Sequence, residues 1–119
     1  MLKKIRFYRF LLAVLVSNLS LPVHAYTCEG DVKGVTVNAQ GQVMAESIGA
    51  AMQWPVFCNV SQIENGVAIA ACRVVYASLL TAQATGRSVT VWVGGSAGSC
   101  GDLTPFNFVS GFGMVRINN

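Results

Sequence analysis

The sequence predicts a small, mainly β domain with one α-helix, cross-linked by two disulfides. Three observations support this α+β class: short segments in which valine alternates with polar residues, one alanine-rich segment with helical spacing, and four cysteines. The predicted order, β-β-β-α-β-β, is that of a five-stranded OB-like barrel with a helix between the third and fourth strands. A plain α+β layer, with the helix on one face of a sheet, is the alternative that this order allows.

The first 25 residues have the composition of an export signal. Basic residues precede a short apolar run at 10–16, and Val23-His24-Ala25 has the small-x-small pattern of a signal-peptidase site. The run is shorter than the roughly 20 residues that span a bilayer. We therefore predict a signal peptide at 1–25 and one OB-like domain at 26–119. The mature protein is expected in the bacterial periplasm or outside the cell, with no membrane span after cleavage.

The predicted mature domain carries little charge. It keeps four cations and five carboxylates, for a net charge of −1, whereas the whole chain has a formal charge of +3. Nucleic-acid binding is not expected, because a phosphate-binding face needs clustered Lys and Arg. The four cations are spread along the chain: Lys33, Arg73, Arg87 and Arg116.

Four cysteines remain after cleavage, and in a small exported domain they predict two disulfides. Of the three pairings, we favour Cys58–Cys72, because these residues flank one loop and can join a strand end to a helix start. Cys28–Cys100 then ties the start of the domain to a late loop. A zinc site is the alternative, but there is no Cys-x-x-Cys pair, and the one histidine, His24, lies in the signal. No cofactor or metal is expected.

Three strands are predicted before the helix. In the segment 35–38 valine alternates with polar residues, and a Gln/Gly turn separates it from a second strand at 43–48, so the two form a hairpin. A third strand spans 54–60. Pro55 is expected at its beginning or on an edge, because proline donates no backbone hydrogen bond.

One helix is predicted over 69–85, after a polar loop with the turn signal Asn65-Gly66. Alanines give this segment strong helix propensity, and Gly86 stands where a C-terminal cap is expected. Its apolar residues recur at helical spacing: Ile69, Cys72, Tyr76, Leu79 and Leu80.

Two strands are predicted after the helix. Over 88–93 valine alternates with other residues, so Trp92 is expected on the face opposite the valines. A Gly/Ser-rich loop covers 94–105, and the last strand covers 108–117, bent at Gly111 or Gly113.

Catalytic motifs in the chain lack their usual context. Residues 94–98 match the G-x-S-x-G pattern of serine hydrolases, but a loop follows instead of a helix, and the mature chain has no histidine to act as base. Glu29 and Asp31 have the spacing of one strand face, yet so small a domain has little room for a cleft that would shift a carboxyl pKa. We predict a binding protein and not an enzyme.

Aromatic residues are the most promising candidates for binding. The domain has too many for all of them to be central in a small core, and exposed aromatic rings bind sugars or partner chains. We select Trp92 and Trp54. The alternative for Trp92 is that it packs beneath the helix while the valines face elsewhere.

Four short motifs lie between residues 57 and 93. They are Phe57-Cys58, Ala71-Cys72, Tyr-Ala-Ser-Leu-Leu at 76–80, and Thr-Gly-Arg-Ser-Val-Thr-Val at 85–91. Together they resemble the B subunits of AB5 toxins of the subtilase-cytotoxin and typhoid-toxin type. The same stretch is similar to small exported proteobacterial proteins of unknown function.

The toxin resemblance implies an OB fold, a ring of five subunits whose pore is lined by the helix, and binding of sialylated glycans by loops. The toxin subunits have a serine that contacts sialic acid, and Lys33 stands at that position here. Gly94-Gly95-Ser96 replaces their Trp-Thr-Tyr-Pro stretch. Lys33 is therefore the third candidate binding residue, and the expected ligand is a glycan or a protein partner. A stand-alone envelope protein with a structural or inhibitory role is the alternative.

Overall fold

The computed structural model describes residues 25–94 and 98–119. Nearly all of the predicted signal peptide lies outside the described residues. So do Gly95, Ser96 and Ala97, the centre of the G-x-S-x-G match. No helix within the described ranges is long and apolar enough to cross a membrane.

The described residues form eight β-strands, one α-helix and one 3-10 helix. The strands are β1 (Tyr26–Lys33), β2 (Thr36–Val37), β3 (Gln42–Met44), β4 (Ser47–Ile48), β5 (Met52–Gln53), β6 (Val56–Asn59), β7 (Ser88–Val93) and β8 (Phe112–Ile117). Helix α1 spans Ile69–Thr85 between β6 and β7, and the 3-10 helix spans Cys100–Asp102 between β7 and β8. The fold is mainly β with one helix, as the sequence predicts.

The strands are arranged in two antiparallel sheets. One has five strands in the order β5-β4-β1-β7-β8, and the other has three in the order β2-β3-β6. The predicted hairpin is present as β2 and β3, in which Val37 pairs with Val43. The predicted count of five strands is wrong for the described residues, which contain eight.

One of the three additional strands comes from a bend, and the other two, β1 and β5, lie outside the predicted strands. The predicted strand at 43–48 is divided into β3 and β4, which belong to different sheets, and the chain bends between them at Ala45 and Glu46. The predicted strand at 54–60 begins only at β6, after a break at Trp54 and Pro55. Apolar and polar residues continue to alternate through such bends, so the sequence pattern does not reveal them.

Strand β1 is not predicted from the sequence. Its eight residues include glycine and two acids, which are uncommon in strands. Only Cys28 and Val32 of this strand are buried, so its apolar alternation is weak. It nevertheless lies at the centre of the larger sheet, between β4 and β7.

The last strand is shorter than predicted, and Gly111 is the glycine at which the chain bends. Gly111 has a φ of 79°, and a side chain there would collide with the carbonyl oxygen of Gly94. The Gly94 N–H donates to the Gly111 carbonyl at 2.8 Å. This close approach of two backbones delays β8 until Phe112.

Backbone hydrogen bonds also join residues 106–109, which precede β8, to residues 54–56 at the start of β6. We call this contact the seam. Val56 forms a parallel bridge with Phe108. The Val56 N–H donates to the Asn107 carbonyl at 3.2 Å, and the Val109 N–H donates to the Val56 carbonyl at 2.9 Å. The seam therefore links the smaller sheet to the segment that leads into the larger one.

The core is formed by one face of the larger sheet together with β3, β6 and the inner face of α1. The three valines of β7 are buried, and Phe57 packs edge-on against Phe112 with ring centroids 5.2 Å apart. The helix contributes Cys72, Leu79 and Ala82. Leu80, one of the apolar residues at helical spacing, is exposed, because it lies about 100° around the helix from Leu79.

Both predicted disulfides are present. Cys58 at the end of β6 is bonded to Cys72 in the first turn of α1, and Cys28 of β1 is bonded to Cys100 of the 3-10 helix. The predicted cap is also confirmed. Gly86 has a φ of 66° and its N–H donates to the Ala82 carbonyl, which ends α1.

Candidate functional site

A stacked pair of aromatic rings stands out on the surface. Trp54, at the break between β5 and β6, stacks on Phe106 with ring centroids 5.0 Å apart and ring planes 18° apart. Phe106 is 62% exposed, and Trp54 is half-buried. The pair therefore presents aromatic surface to solvent.

Phe106 occupies a turn position that normally takes glycine. The Asn107 N–H donates to the Thr104 carbonyl at 3.1 Å, so these four residues form a β-turn with Pro105 second and Phe106 third. Phe106 has a φ of 66°, and a positive φ at the third position is typical of a type II turn, in which Gly or Asn is usual. A left-handed conformation costs a residue with a side chain about 1–2 kcal/mol.

Trp54 also has a left-handed backbone, with a φ of 49°. It precedes Pro55, and proline restricts the conformation of the residue before it. Among the described residues other than glycine, a positive φ occurs only at Trp54, Asn65 and Phe106. Two of these three residues are thus the partners in the stack. Strained backbone of this kind clusters at ligand sites and switch regions.

Backbone hydrogen bonds place Lys33 and Trp54 in one row across neighbouring strands. The Glu46 N–H donates to the Lys33 carbonyl at 2.9 Å, and the Trp54 N–H donates to the Glu46 carbonyl at 2.9 Å. The Phe106 N–H continues the row, donating to the Trp54 carbonyl at 2.9 Å. Neighbouring strands lie about 4.8 Å apart, so the backbones of Lys33 and Trp54 are roughly 10 Å apart.

A shallow polar cleft of about 280 Å³ adjoins Lys33. It is lined by Asp31, Lys33, Ser47, Gly49 and Ala50. Lys33 pairs with Ser47 across β1 and β4, and Asp31 lies two residues earlier on the same exposed face of β1. The cleft therefore offers a carboxylate, an ammonium group and a hydroxyl beside the row that carries the aromatic pair.

Gly34 leaves space for a second carboxylate near this cleft. A Cβ atom at Gly34, whose φ is 62°, would lie 2.6 Å from the Glu46 Cβ and 2.9 Å from its Oε2. The Glu46 side chain thus lies over the Gly34 backbone, next to Lys33. Any side chain at position 34 would push this carboxylate aside.

Trp92 lies apart from the other two predicted binding residues. It pairs with Thr27 at the opposite end of β1, six residues and therefore roughly 20 Å along the strand from Lys33. It is half-buried on the face opposite the buried valines of β7, as predicted. The Arg116 guanidinium lies over its ring, 5.1 Å from the centroid.

Asn118 organises polar residues beside Trp92. Its side-chain oxygen accepts from Thr90 Oγ1 at 3.1 Å and from Arg116 Nε at 3.4 Å. Its side-chain nitrogen donates to Ser88 Oγ at 3.1 Å and to Glu29 Oε1 at 3.4 Å. These side chains satisfy one another and hold Arg116 on the indole, which accounts for Trp92 without a ligand.

An apolar groove of about 370 Å³ lies between α1 and β8. Val74 and Met114, on its two sides, are 65% and 57% exposed. Within the described ranges β8 pairs only with β7, so the groove runs beside a free strand edge.

Phe106 and Glu46 are not among the binding residues that the sequence predicts. Phe106 follows Thr104-Pro105 in a loop, and Pro at the second position of a turn is the one available signal. Glu46 has no such signal, because its place in the row depends on the bend between β3 and β4.

Of the two acids considered for catalysis, Asp31 lines the cleft, whereas Glu29 accepts from Asn118 further along β1. Glu29 and Asp31 are both exposed on one face of β1, as their spacing predicts. Within residues 25–94 and 98–119, no group of three His, Cys, Asp or Glu side chains could hold a metal ion.

No protein-family model, curated protein or solved structure matches the chain.

Proposed function

We propose that the chain is an exported, non-catalytic binding domain, and that its ligand site is the Trp54–Phe106 pair together with the polar cleft at Lys33. The observation that carries this proposal is the large, exposed aromatic side chain at a turn position suited to glycine. Selection for stability alone would favour glycine at position 106, because a left-handed backbone costs a residue with a side chain about 1–2 kcal/mol. A function for the ring explains why the strain is retained.

The proposed ligand is a glycan. Aromatic rings with an exposed face pack against the apolar side of a sugar ring, and a few polar groups then fix its orientation by hydrogen bonds. Trp54 and Phe106 supply the rings. Asp31, Lys33 and Ser47 supply an acceptor, a donor and a hydroxyl in the adjoining cleft.

Binding to glycans on an array, followed by titration of a retained glycan, tests this proposal. We expect the variants Phe106→Gly and Trp54→Ala to bind at least about tenfold more weakly than the wild type, as residues central to a binding site do. Lys33→Ala should also weaken binding.

The control is Ile63→Ala, because Ile63 is 72% exposed but lies outside the aromatic pair and the cleft. It should bind like the wild type. Retention of no glycan by the wild type, or full binding by Phe106→Gly, would contradict the proposed glycan site.

We also propose that the two sheets together are an OB-like, partly open barrel. If each bend is treated as part of a continuous strand, β1 continues into β2, β3 into β4, and β5 into β6, which gives three long strands. The first long strand pairs with the second, and the second pairs with the third. In addition, β7 pairs with β1, and β8 pairs with β7. The seam at Val56 and Phe108 supports closure between β6 and the segment that leads into β8.

A ring of copies, which the toxin resemblance implies, is a further part of the proposal. The groove beside the free edge of β8 supports it, because Val74 and Met114 are apolar and more than half exposed. In a ring, the groove of one copy would receive the neighbouring copy. The outward face of α1, which includes the exposed Leu80, would then border a central pore.

A stand-alone envelope protein that binds a protein partner is the second candidate function, and the same groove is the observation that favours it. A partner chain could add a strand to the β8 edge. A monomer in solution that retains no glycan, and that crosslinks to a protein through a photoreactive residue at position 74, would select this function. In either case the two disulfides fit an oxidising compartment, and we propose the periplasm or the extracellular medium.

A further inference from the structure

Asn65 lies in a tight turn and directs its side chain inward. The Val67 N–H donates to the Glu64 carbonyl at 3.0 Å, with Asn65 and Gly66 between them. Their φ values are 55° and 70°, and two positive φ values in sequence are typical of a type I′ turn. The predicted turn at Asn65-Gly66 is therefore present, in the form that Asn-Gly favours.

The Asn65 side chain joins two segments that are distant in sequence. Its Nδ2 donates one hydrogen bond to the Phe57 carbonyl and one to the Val109 carbonyl, both at 2.9 Å. Phe57 belongs to β6, and Val109 belongs to the seam. Both hydrogens of the amide are used, so Asn65 acts as a latch across the seam.

The latch helps to hold Phe106 in place. Phe106 lies three residues before Val109 in the segment that the latch holds, and its own N–H donates to Trp54 beside β6. Without the latch, the seam keeps only its backbone hydrogen bonds, and the carbonyl groups of Phe57 and Val109 each lose the amide donor. The Val109 carbonyl keeps the Phe112 N–H, which donates to it at 3.1 Å.

We propose that Asn65 is a modification site, at which deamidation opens the latch. Asn65-Gly66 is the one Asn-Gly pair in the sequence. Glycine has no side chain to hinder attack by its own nitrogen. In the closed latch the amide is held by two carbonyl groups and is not free to react, so the folded state protects Asn65 and local opening exposes it.

The reaction needs only water. The Gly66 backbone nitrogen attacks the Asn65 Cγ and forms a new N–C bond, while the bond from Cγ to Nδ2 breaks. Ammonia leaves and takes up the proton from the Gly66 nitrogen, which gives a cyclic imide. Water then adds to one of the two imide carbonyls and breaks its bond to nitrogen, leaving aspartate or isoaspartate.

Conversion of Asn65 to aspartate or isoaspartate replaces the hydrogen-bond donor of the latch with an acceptor. An ionised carboxylate has no hydrogen to donate, and at position 65 it would face the carbonyl oxygens of Phe57 and Val109. Repulsion then replaces two hydrogen bonds, and the seam weakens irreversibly. Loss of the stacked pair follows from this opening. Only the further step, loss of ligand, rests on the proposed function.

Peptide mass spectrometry tests the protection. The mature chain is kept in mildly alkaline buffer, either folded or reduced and unfolded in denaturant, and conversion at Asn65 is followed over time. We expect conversion in the folded chain to be at least about tenfold slower, since reaction waits for local opening. Equal rates in the two states would overturn the proposal.

A pair of variants tests the consequence without any ligand. In a Trp92→Phe background, which leaves Trp54 as the one tryptophan, Asn65→Asp should shift tryptophan emission toward that of a solvated ring and speed amide exchange at Val109. Asn107→Asp is the matched control, because Asn107 is exposed and contributes only its backbone to the seam. Unchanged emission and exchange in Asn65→Asp would overturn the proposal that Asn65 holds the seam. Failure of this variant to fold would support that proposal, and the conversion rates would still test whether folding protects Asn65.

Discussion

Phe106 and Trp54 are joined twice, once through their backbones and once through their rings. The Phe106 N–H donates to the Trp54 carbonyl at 2.9 Å, and the ring centroids lie 5.0 Å apart. Both residues have a left-handed backbone. The backbone bond fixes the spacing of the two rings, so the pair behaves as one rigid surface. Rigid aromatic surfaces lose little conformational entropy on binding.

Relief of the turn should stabilise the domain. We expect Phe106→Gly to have a free energy of unfolding about 1 kcal/mol greater than that of Phe106→Ala, because both lack the ring and only alanine keeps the strained Cβ. Urea denaturation of the two variants measures this difference. A Phe106→Ala protein as stable as Phe106→Gly would show that the turn is not strained.

The two disulfides should contribute unequally. They close stretches with sequence separations of 14 and 72 residues. In the chain-entropy model, replacing the pair Cys58 and Cys72 by serine costs about 3 kcal/mol, and replacing Cys28 and Cys100 costs about 4 kcal/mol. Thermal unfolding monitored by circular dichroism would check the order. Removal of both should leave the chain largely unfolded, because small domains are stable by only about 5–15 kcal/mol.

A negative charge at position 59 should destabilise the domain. It is fully buried, and its Nδ2 donates to the Gln40 carbonyl and to Glu64 Oε2, each at 2.9 Å. Its Oδ1 accepts from the N–H and the hydroxyl of Ser61. Asn59→Asp would bring a carboxylate against that of Glu64, and we expect a loss of about 3 kcal/mol or more.

A double-mutant cycle separates this repulsion from the loss of hydrogen bonds. Adding Glu64→Gln to Asn59→Asp should restore part of the stability in urea denaturation, whereas Glu64→Gln alone should lower it. Additive effects of the two substitutions would mean that the carboxylates do not interact.

Light scattering under non-reducing conditions tests self-association. For the proposed ring we expect a mass near five protomers, which Val74→Glu or Met114→Lys should reduce to the mass of one. Arg73→Glu is the matched control, because Arg73 is an exposed helix residue that does not line the groove. A wild-type protein with the mass of one protomer would rule out the ring and favour the stand-alone function.

Export should remove the first 25 residues. The intact mass of protein recovered from the periplasm or medium should match a chain that begins at Tyr26. Ala25→Arg should block cleavage, because signal peptidase needs a small residue there. An exported wild-type chain with its first 25 residues intact would contradict this cleavage site.

The sequence predicts the local elements of this fold better than their arrangement. Alternating valines identify β7, alanine spacing and Gly86 identify α1, and the cysteines identify the cross-links. These signals are local in sequence or depend on composition. The bend that divides the predicted strand at 43–48 has no such signal, because side chains alternate through a bend as they do along a straight strand.

The residues of the candidate site are likewise predicted better than their arrangement. Lys33 and Trp54 are predicted from separate sequence signals, and the row that brings them together depends on the bend at Glu46. Trp92 has the outward phase that its alternation predicts, yet Arg116 covers its ring. Alternation assigns a face of the sheet, but it cannot tell which neighbour occupies that face.

The bond between Cys28 and Cys100 has a consequence for the chain after a protease has cut it. A single cleavage between residues 94 and 99 would divide the mature protein into two polypeptides. Because Cys28 lies in the first and Cys100 in the second, the fragments would stay covalently attached. A nicked molecule would therefore migrate as one species on a non-reducing gel and as two after reduction. In an oxidising environment, a cut in this stretch would not detach the fragment that carries Phe106.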